Sequence, residues 1–311
     1  MTELTLTTQP DGQVSKAGDR IFKGLSTGAG ILILITLAGI ALFLAIEAWP
    51  ALVADPSEFS DGDNFLQFVG PLVFGTLLAS ALALIIATPL AISVALFITQ
   101  DAPPRLSKAF GYFVDLLAAI PSVVFGLWGI NTFAPLLADE VYPLLNSKLG
   151  WIPFFGGTVV PSGRSLLTAT LVLAVMILPI ITAISREVFL QTPRLHKEAS
   201  LALGATRWEM ITQAVLPYGR SGIISGAMLG LGRALGETMA VAMILSPADV
   251  YSIRLLTSEN PNTIAANIAL RFPDSAGLEV NRLIATGLVL FVITFIVNVL
   301  ARKMATKGVS L

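Results

Sequence analysis

The chain contains no cysteine and only one histidine, His196. The first absence excludes disulfides, thiolate metal sites, a cysteine nucleophile and S-palmitoylation. The second leaves a histidine-based metal centre or catalytic triad without its residues, so no catalytic set and no metal site is expected. Charge is scarce too: charged residues make up 13% of the sequence and hydrophobic ones 55%, against about 25% and about 45–50% in an ordinary soluble domain. A net charge of −1 gives no basic surplus for nucleic acid. There is no G-x-x-x-x-G-K-[ST] run, so any ATP hydrolysis would belong to another chain. A cleaved leader fits poorly, because Glu47 and Trp49 stand where small cleavage-site residues are wanted.

What is abundant is long apolar runs. A hydrocarbon core of about 30 Å needs about 20 mostly apolar residues in helix. Six runs qualify: Ile31 to Ala48, Pro71 to Ile98, Phe110 to Leu137, Leu166 to Ser185, Gly222 to Ser246 and Leu283 to Leu300. The expected fold is all-α, a polytopic membrane protein with six transmembrane helices over residues 21–302. A disordered cytoplasmic tail is expected over 1–20 and a second cytoplasmic tail over 303–311. Pro121 and Pro179 interrupt apolar runs and predict kinks.

Lysine and arginine fall unevenly across these spans. With the N-terminus inside, the inner segments collect Lys16, Arg20 and Lys23, then Arg105 and Lys108, then Arg186, Arg194, Lys197, Arg207 and Arg220, then Arg302, Lys303 and Lys307. The outer side holds only Lys148, Arg164, Arg254, Arg271 and Arg282. Short loops rich in these residues stay cytoplasmic, which places both termini there. The first outer loop carries Asp55, Glu58, Asp61 and Asp63 with no basic residue, an arrangement that repels a small anion and calls for escorted delivery. Asp115 and Glu47, near span ends, read as solvated interfacial carboxylates.

Between the fourth and fifth runs lies a polar stretch, residues 192–217, that reads as a cytoplasmic hairpin. Thr192-Pro193 predicts an N-cap followed by proline in the first turn. The helix it starts runs through Glu198 and Ala199 and can end at Gly204, the residue that most easily takes a left-handed conformation. Thr206 and Glu209 are spaced as a T-x-x-E capping box for a second helix, which Pro217 ends or redirects. The residues Glu198, Ala199, Ser200, Gly204, Leu216 and Pro217 resemble the EAA loop of ABC-importer permeases, with Ser200 and Ala214 departing from the usual Ala and Ile. The resemblance implies a coupling helix that sits in a groove of a cytoplasmic ATPase, contributed by Glu198, Ala199, Gly204, Leu216 and Pro217.

The fifth run carries charge in an apolar setting. Counted at 100° per residue from Gly222, Gly226 falls at about 40°, Gly230 at about 80°, Arg233 at about 20° and Glu237 at about 60°. The charges therefore share a face with glycines spaced for close helix approach, and Arg233 and Glu237 stand one turn apart, where they can pair. An arginine near the bilayer centre costs about 2.5–3.5 kcal/mol on insertion scales, so this face has to look into protein or an aqueous path. One reading is an ion pair that fixes helix register. The other is a guanidinium fork for a tetrahedral oxyanion, neutralised by Glu237 when the path is empty.

The stretch Gly232 to Val241 is similar to the G-R-A-L-G-E-T-M-A-V segment of PstC-type permease subunits of phosphate ABC importers. AIPSVVFGLWGI from Ala119 and MILPIITAISREVF from Met176 resemble the same subunit. This implies a bacterial inner (plasma) membrane location and phosphate translocation involving Arg233 and Glu237. It also implies a PstA-type second permease, two ATPase subunits that carry ATP and Mg, and an extracytoplasmic phosphate-binding protein, with no cofactor in this chain itself. Lipid is its surroundings. The alternatives are an ABC permease for another oxyanion, such as sulfate or molybdate, and a secondary transporter, whose inverted repeat is not visible.

Overall fold

The computed structural model describes residues 16–59 and 61–307. Leucine-, isoleucine- and alanine-rich runs form helices because a helix satisfies its own backbone groups where no water can. In chain order they are α1 Lys16–Val53, α2 Phe65–Leu96 with a π-helical turn Phe97–Asp101, α3 Pro104–Ala118, α4 Ser122–Leu149 and α5 Leu166–Leu190. There follow α6 Arg194–Ala202, α7 Arg207–Met210 with a π-helical turn Ile211–Val215, α8 Leu216–Leu235, α9 Met239–Ile244, α10 Ile264–Arg271 and α11 Leu278–Lys307. A parallel pairing of Pro247–Ala248 with Asn260–Pro261 is the β-structure among the described residues.

The core forms around α5, which is buried along most of its length. On one side lies α2, with Ala79, Ala83, Ala87, Ala91 and Ala95 at every fourth position and at most 1% exposed. Small side chains at this spacing let backbones approach, and the Thr182 hydroxyl donates across the gap to the Ala91 carbonyl at 3.4 Å. On the other side α8 brings its glycines against α5. A Cβ at Gly222 would strike Val188, and one at Gly230 would crowd Ile181. The glycine face expected from the sequence is therefore a real helix seam, and its partner is α5.

Several expected boundaries shift. The helix at the N-terminal end begins at Lys16, so the part of the 1–20 tail from 16 onward is helical, and residues 1–15 lie outside the described residues. At the other end α11 runs to Lys307, past the expected boundary at 302, and 308–311 lie outside the description. Among the described residues, five helices are long and apolar enough to cross a membrane: Gly18–Val53, Phe65–Asp101, Ser122–Leu149, Leu166–Leu190 and Leu278–Ala301. The third expected span, Phe110 to Leu137, is two helices that part at Ala119–Pro121, because Pro121 has no N–H to continue α3. Pro179 instead lies inside an unbroken α5. The fifth expected span is not one helix either: α8 has 20 residues, about 30 Å of rise, and stops before Gly236.

The acidic first loop is not unopposed. Arg282, at the start of α11 and 1% exposed, places Nη1 2.9 Å from both Asp61 carboxylate oxygens and donates from Nη2 to the Asp63 carbonyl at 3.2 Å. Its guanidinium carbon lies 4.3 Å from the Phe59 ring centroid and 3.9 Å from that of Phe68. Burial works against the Asp61 charge, but the Arg282 and Asp63 hydrogen bonds outweigh it and hold the carboxyl below its usual range. This one side chain ties Phe59, Asp61 and Asp63, and Phe68 in the first turn of α2, to α11. Arg282→Ala is expected to destabilise the fold by about 3 kcal/mol, from a desolvated cation–π contact and charged hydrogen bonds. Thermal unfolding in detergent reads it, and an unchanged transition contradicts the assignment.

Candidate functional site

The hairpin is the first half of the site. Its first helix does not start as expected: Pro193 occupies the cap position of α6 with no side-chain cap. Thr192 is buried and its hydroxyl has no hydrogen-bond partner among the described residues; the proline ring at 193 fixes the chain entry instead. The elbow is as expected. Gly204 has φ +90°, the Ala205 N–H bonds the Ser200 carbonyl at 3.2 Å and the Gly204 N–H bonds the Leu201 carbonyl at 3.0 Å. Those two bonds make a Schellman motif.

The capping box then forms in full. The Thr206 N–H and hydroxyl donate to Glu209 Oε2 at 2.7 and 2.8 Å, and the Glu209 N–H returns to the Thr206 hydroxyl at 3.3 Å. These bonds hold the Glu209 carboxyl below the usual carboxylate range. A depressed folded value means the cap's contribution is complete above the ordinary glutamate pKa and is lost as pH falls through the lowered one. Pro217 does not end the helix: it sits in the first turn of α8, directly after the π-helical turn at Ile211–Val215.

The hairpin is pinned to the body at few points. Lys197 Nζ donates to Gln100 at the end of α2, 3.2 Å away; burial, then the Arg194 charge, push the Lys197 ammonium below its ordinary value. Leu216 is half-buried against a small core of Ala95, Phe189, Met210, Ile211 and Val215. Glu198, Ala199 and Pro217 are exposed. So are the three most exposed large apolar side chains around the elbow, Leu195 at 76%, Leu203 at 90% and Trp208 at 65%. Sequence reasoning passed over these three; the signal for them was large apolar side chains in an otherwise polar hairpin. Rigid caps under exposed apolar groups suit docking against another protein. His196 is exposed beside Tyr218, with ring centroids 6.5 Å apart.

The second half of the site is the end of α8. Arg233 is half-buried in its last turn, and Glu237 is 7% exposed. They do not pair, which corrects the expected ion pair. The helix stops at Leu235, Gly236 takes the cap position, and Glu237 Oε1 instead accepts the Ala240 N–H at 3.1 Å in the first turn of α9. The helical wheel failed because it was carried through Gly236, a residue that commonly ends helices. Among the described residues, no ion pair engages Arg233. The hairpin and Arg233 are thus at opposite ends of α8, about 25 Å apart at 1.5 Å per residue.

Residues 87–307 match the family described as the binding-protein-dependent transport system inner membrane component. Over 306 residues the chain is 45% identical to the phosphate transport system permease protein PstC 2 of Mycobacterium tuberculosis, covering 95% of this chain and 94% of the relative. It is 44% identical over 303 residues to the phosphate transport system permease protein PstC of Mycobacterium leprae, covering 94% of each. In fold it is similar to a chain of a bacterial alginate ABC transporter in complex with an alginate pentasaccharide-bound periplasmic protein. That likeness has a TM-score of 0.62 at 18% identity and covers 94% of this chain and 96% of the other.

Proposed function

The chain belongs to the binding-protein-dependent transport system inner membrane component family, and on that premise we propose that it is the PstC-type permease subunit of an ABC importer for inorganic phosphate. It is a transporter subunit and not an enzyme. The observation that carries the substrate is identity of 44–45% to phosphate permeases along nearly the whole chain.

Residues 21–302 form the membrane domain, with both termini and the 192–217 hairpin in the cytoplasm. A PstA-type permease completes the path, and two ATPase subunits bind ATP and Mg on the inner face. An extracytoplasmic phosphate-binding protein delivers the anion past the acidic loop. ATP binding closes the ATPase pair, the hairpin carries that motion through Leu216 and Pro217 into α8, and the path alternates between outward- and inward-facing states. Arg233, always charged, offers its donor fork to the oxyanion.

Affinity purification of this chain from membranes expressing all four components tests the reading. The expected particle holds one copy of this chain, one PstA-type permease and two ATPases, and sulfate or molybdate in excess fails to suppress its phosphate uptake. Suppression by either anion favours a broader oxyanion permease, and recovery of the chain without an ATPase contradicts the proposal.

A further inference from the structure

A cleft of about 220 Å³ opens between α3 and the hairpin-side end of α5, its polar groups Ser107, Lys108, Tyr112, Asp115 and Arg186 set beside Gly111 and Leu190. Arg186 is 19% exposed and reaches Asp115 through Nη2 alone, at 3.3 and 3.4 Å. That is longer than the 2.7–2.9 Å typical of a close charge-assisted bond, so the pair is loose. Gly111 leaves room for the guanidinium to lie across α3, since a Cβ there would run into Nη1. Two cations thus share a cleft with one carboxylate. The nearby Glu187 is held by Gln191 at 3.2 Å and does not line the cleft.

The apolar surface of the cleft continues around it. Leu106, Phe110, Phe113, Leu116 and Leu190 are all exposed. A basic pocket between helices, flanked by apolar surface, is the arrangement that binds an anionic lipid head group. We propose that Ser107, Lys108 and Arg186 form a binding site for a phosphate group, with an anionic phospholipid head group as its occupant and the acyl chains along Leu106, Phe113 and Leu116. Asp115 then acts as a resident competitor that the phosphate displaces from Arg186. The inference goes beyond the transport reading and stands whether or not the chain carries phosphate.

Native mass spectrometry of the purified complex, titrated with phosphatidylglycerol, phosphatidylcholine or inorganic phosphate, tests it. The complex is expected to retain phosphatidylglycerol over phosphatidylcholine. Lys108→Gln, a change at an exposed side chain that leaves helix packing intact, is expected to weaken that retention about fivefold, as does loss of one cation at a membrane surface. Gly111→Ala, which displaces Arg186, is expected to do the same, and millimolar inorganic phosphate is expected to leave the lipid in place. If inorganic phosphate displaces the lipid and Lys108→Gln weakens phosphate retention equally, the site is a phosphate-group site but its occupant is the free ion. If neither ligand responds to Lys108→Gln or Gly111→Ala, the site assignment is overturned.

Discussion

Replacing Arg233 by glutamine is expected to lower phosphate uptake by about two orders of magnitude while the complex still assembles, since charged hydrogen bonds contribute about 1.5–3 kcal/mol each and 1.4 kcal/mol is tenfold. The guanidinium is half-buried at the end of α8, and the carboxylate once expected to neutralise it is turned away to the Ala240 N–H. A cation kept in a membrane domain at a cost of about 2.5–3.5 kcal/mol, with its expected partner committed elsewhere, is available to a passing anion. Failure of the Arg233→Gln complex to assemble makes the residue a structural one. Persisting uptake removes it from the path. Glu237→Gln is the companion measurement. A glutamine carbonyl can keep the Ala240 hydrogen bond, so the helix break survives and only the charge changes. Slowed phosphate release in that variant supports a role for Glu237 in the path, and normal transport reduces it to a helix cap.

Gly204→Pro is expected to abolish the stimulation of the ATPase by the loaded binding protein, leaving the chain inserted in the membrane. At Gly204 φ is +90°, which proline, locked near −65°, cannot adopt. Nothing lies within 4 Å of a Cβ at this position, so the effect comes from the backbone and not from a clash. Forcing another residue into this region costs about 1–3 kcal/mol, enough to re-aim α6 and its exposed Leu195 and Leu203. Gly204→Ala, which strains the same φ less severely, should give a partial defect. Glu198→Lys, on the exposed face of α6, tests the same contact by charge. Undiminished ATPase binding and uptake in Gly204→Pro and Glu198→Lys rejects the coupling assignment.

The hairpin was legible in the sequence because its signals are local: a glycine that can take positive φ, and a threonine three residues before a glutamate. The apolar runs were legible as helical for the same reason, although the third and fifth each divide into two helices. The break after Leu235 was not, since an apolar, helix-period pattern continues on both sides of Gly236 and only the glycine itself marks the stop. The pairing of Asp61 with Arg282 joins residues more than two hundred positions apart, and nothing near either one announces it. Likewise, the glycines of α8 announced a close neighbour, yet only the packing reveals that the neighbour is α5. Thr192 misled because threonine is a good cap in isolation, whereas Pro193 here sets the chain direction without it.

The most direct measurement of the central claim is simultaneous phosphate accumulation and ATP hydrolysis in proteoliposomes holding this chain with its permease partner, ATPases and loaded binding protein. ATP-dependent accumulation is expected, stopping in Arg233→Gln while hydrolysis continues and stopping together with stimulated hydrolysis in Gly204→Pro. Phosphate accumulation that proceeds without ATP, or that is unaffected by both substitutions, contradicts the claim.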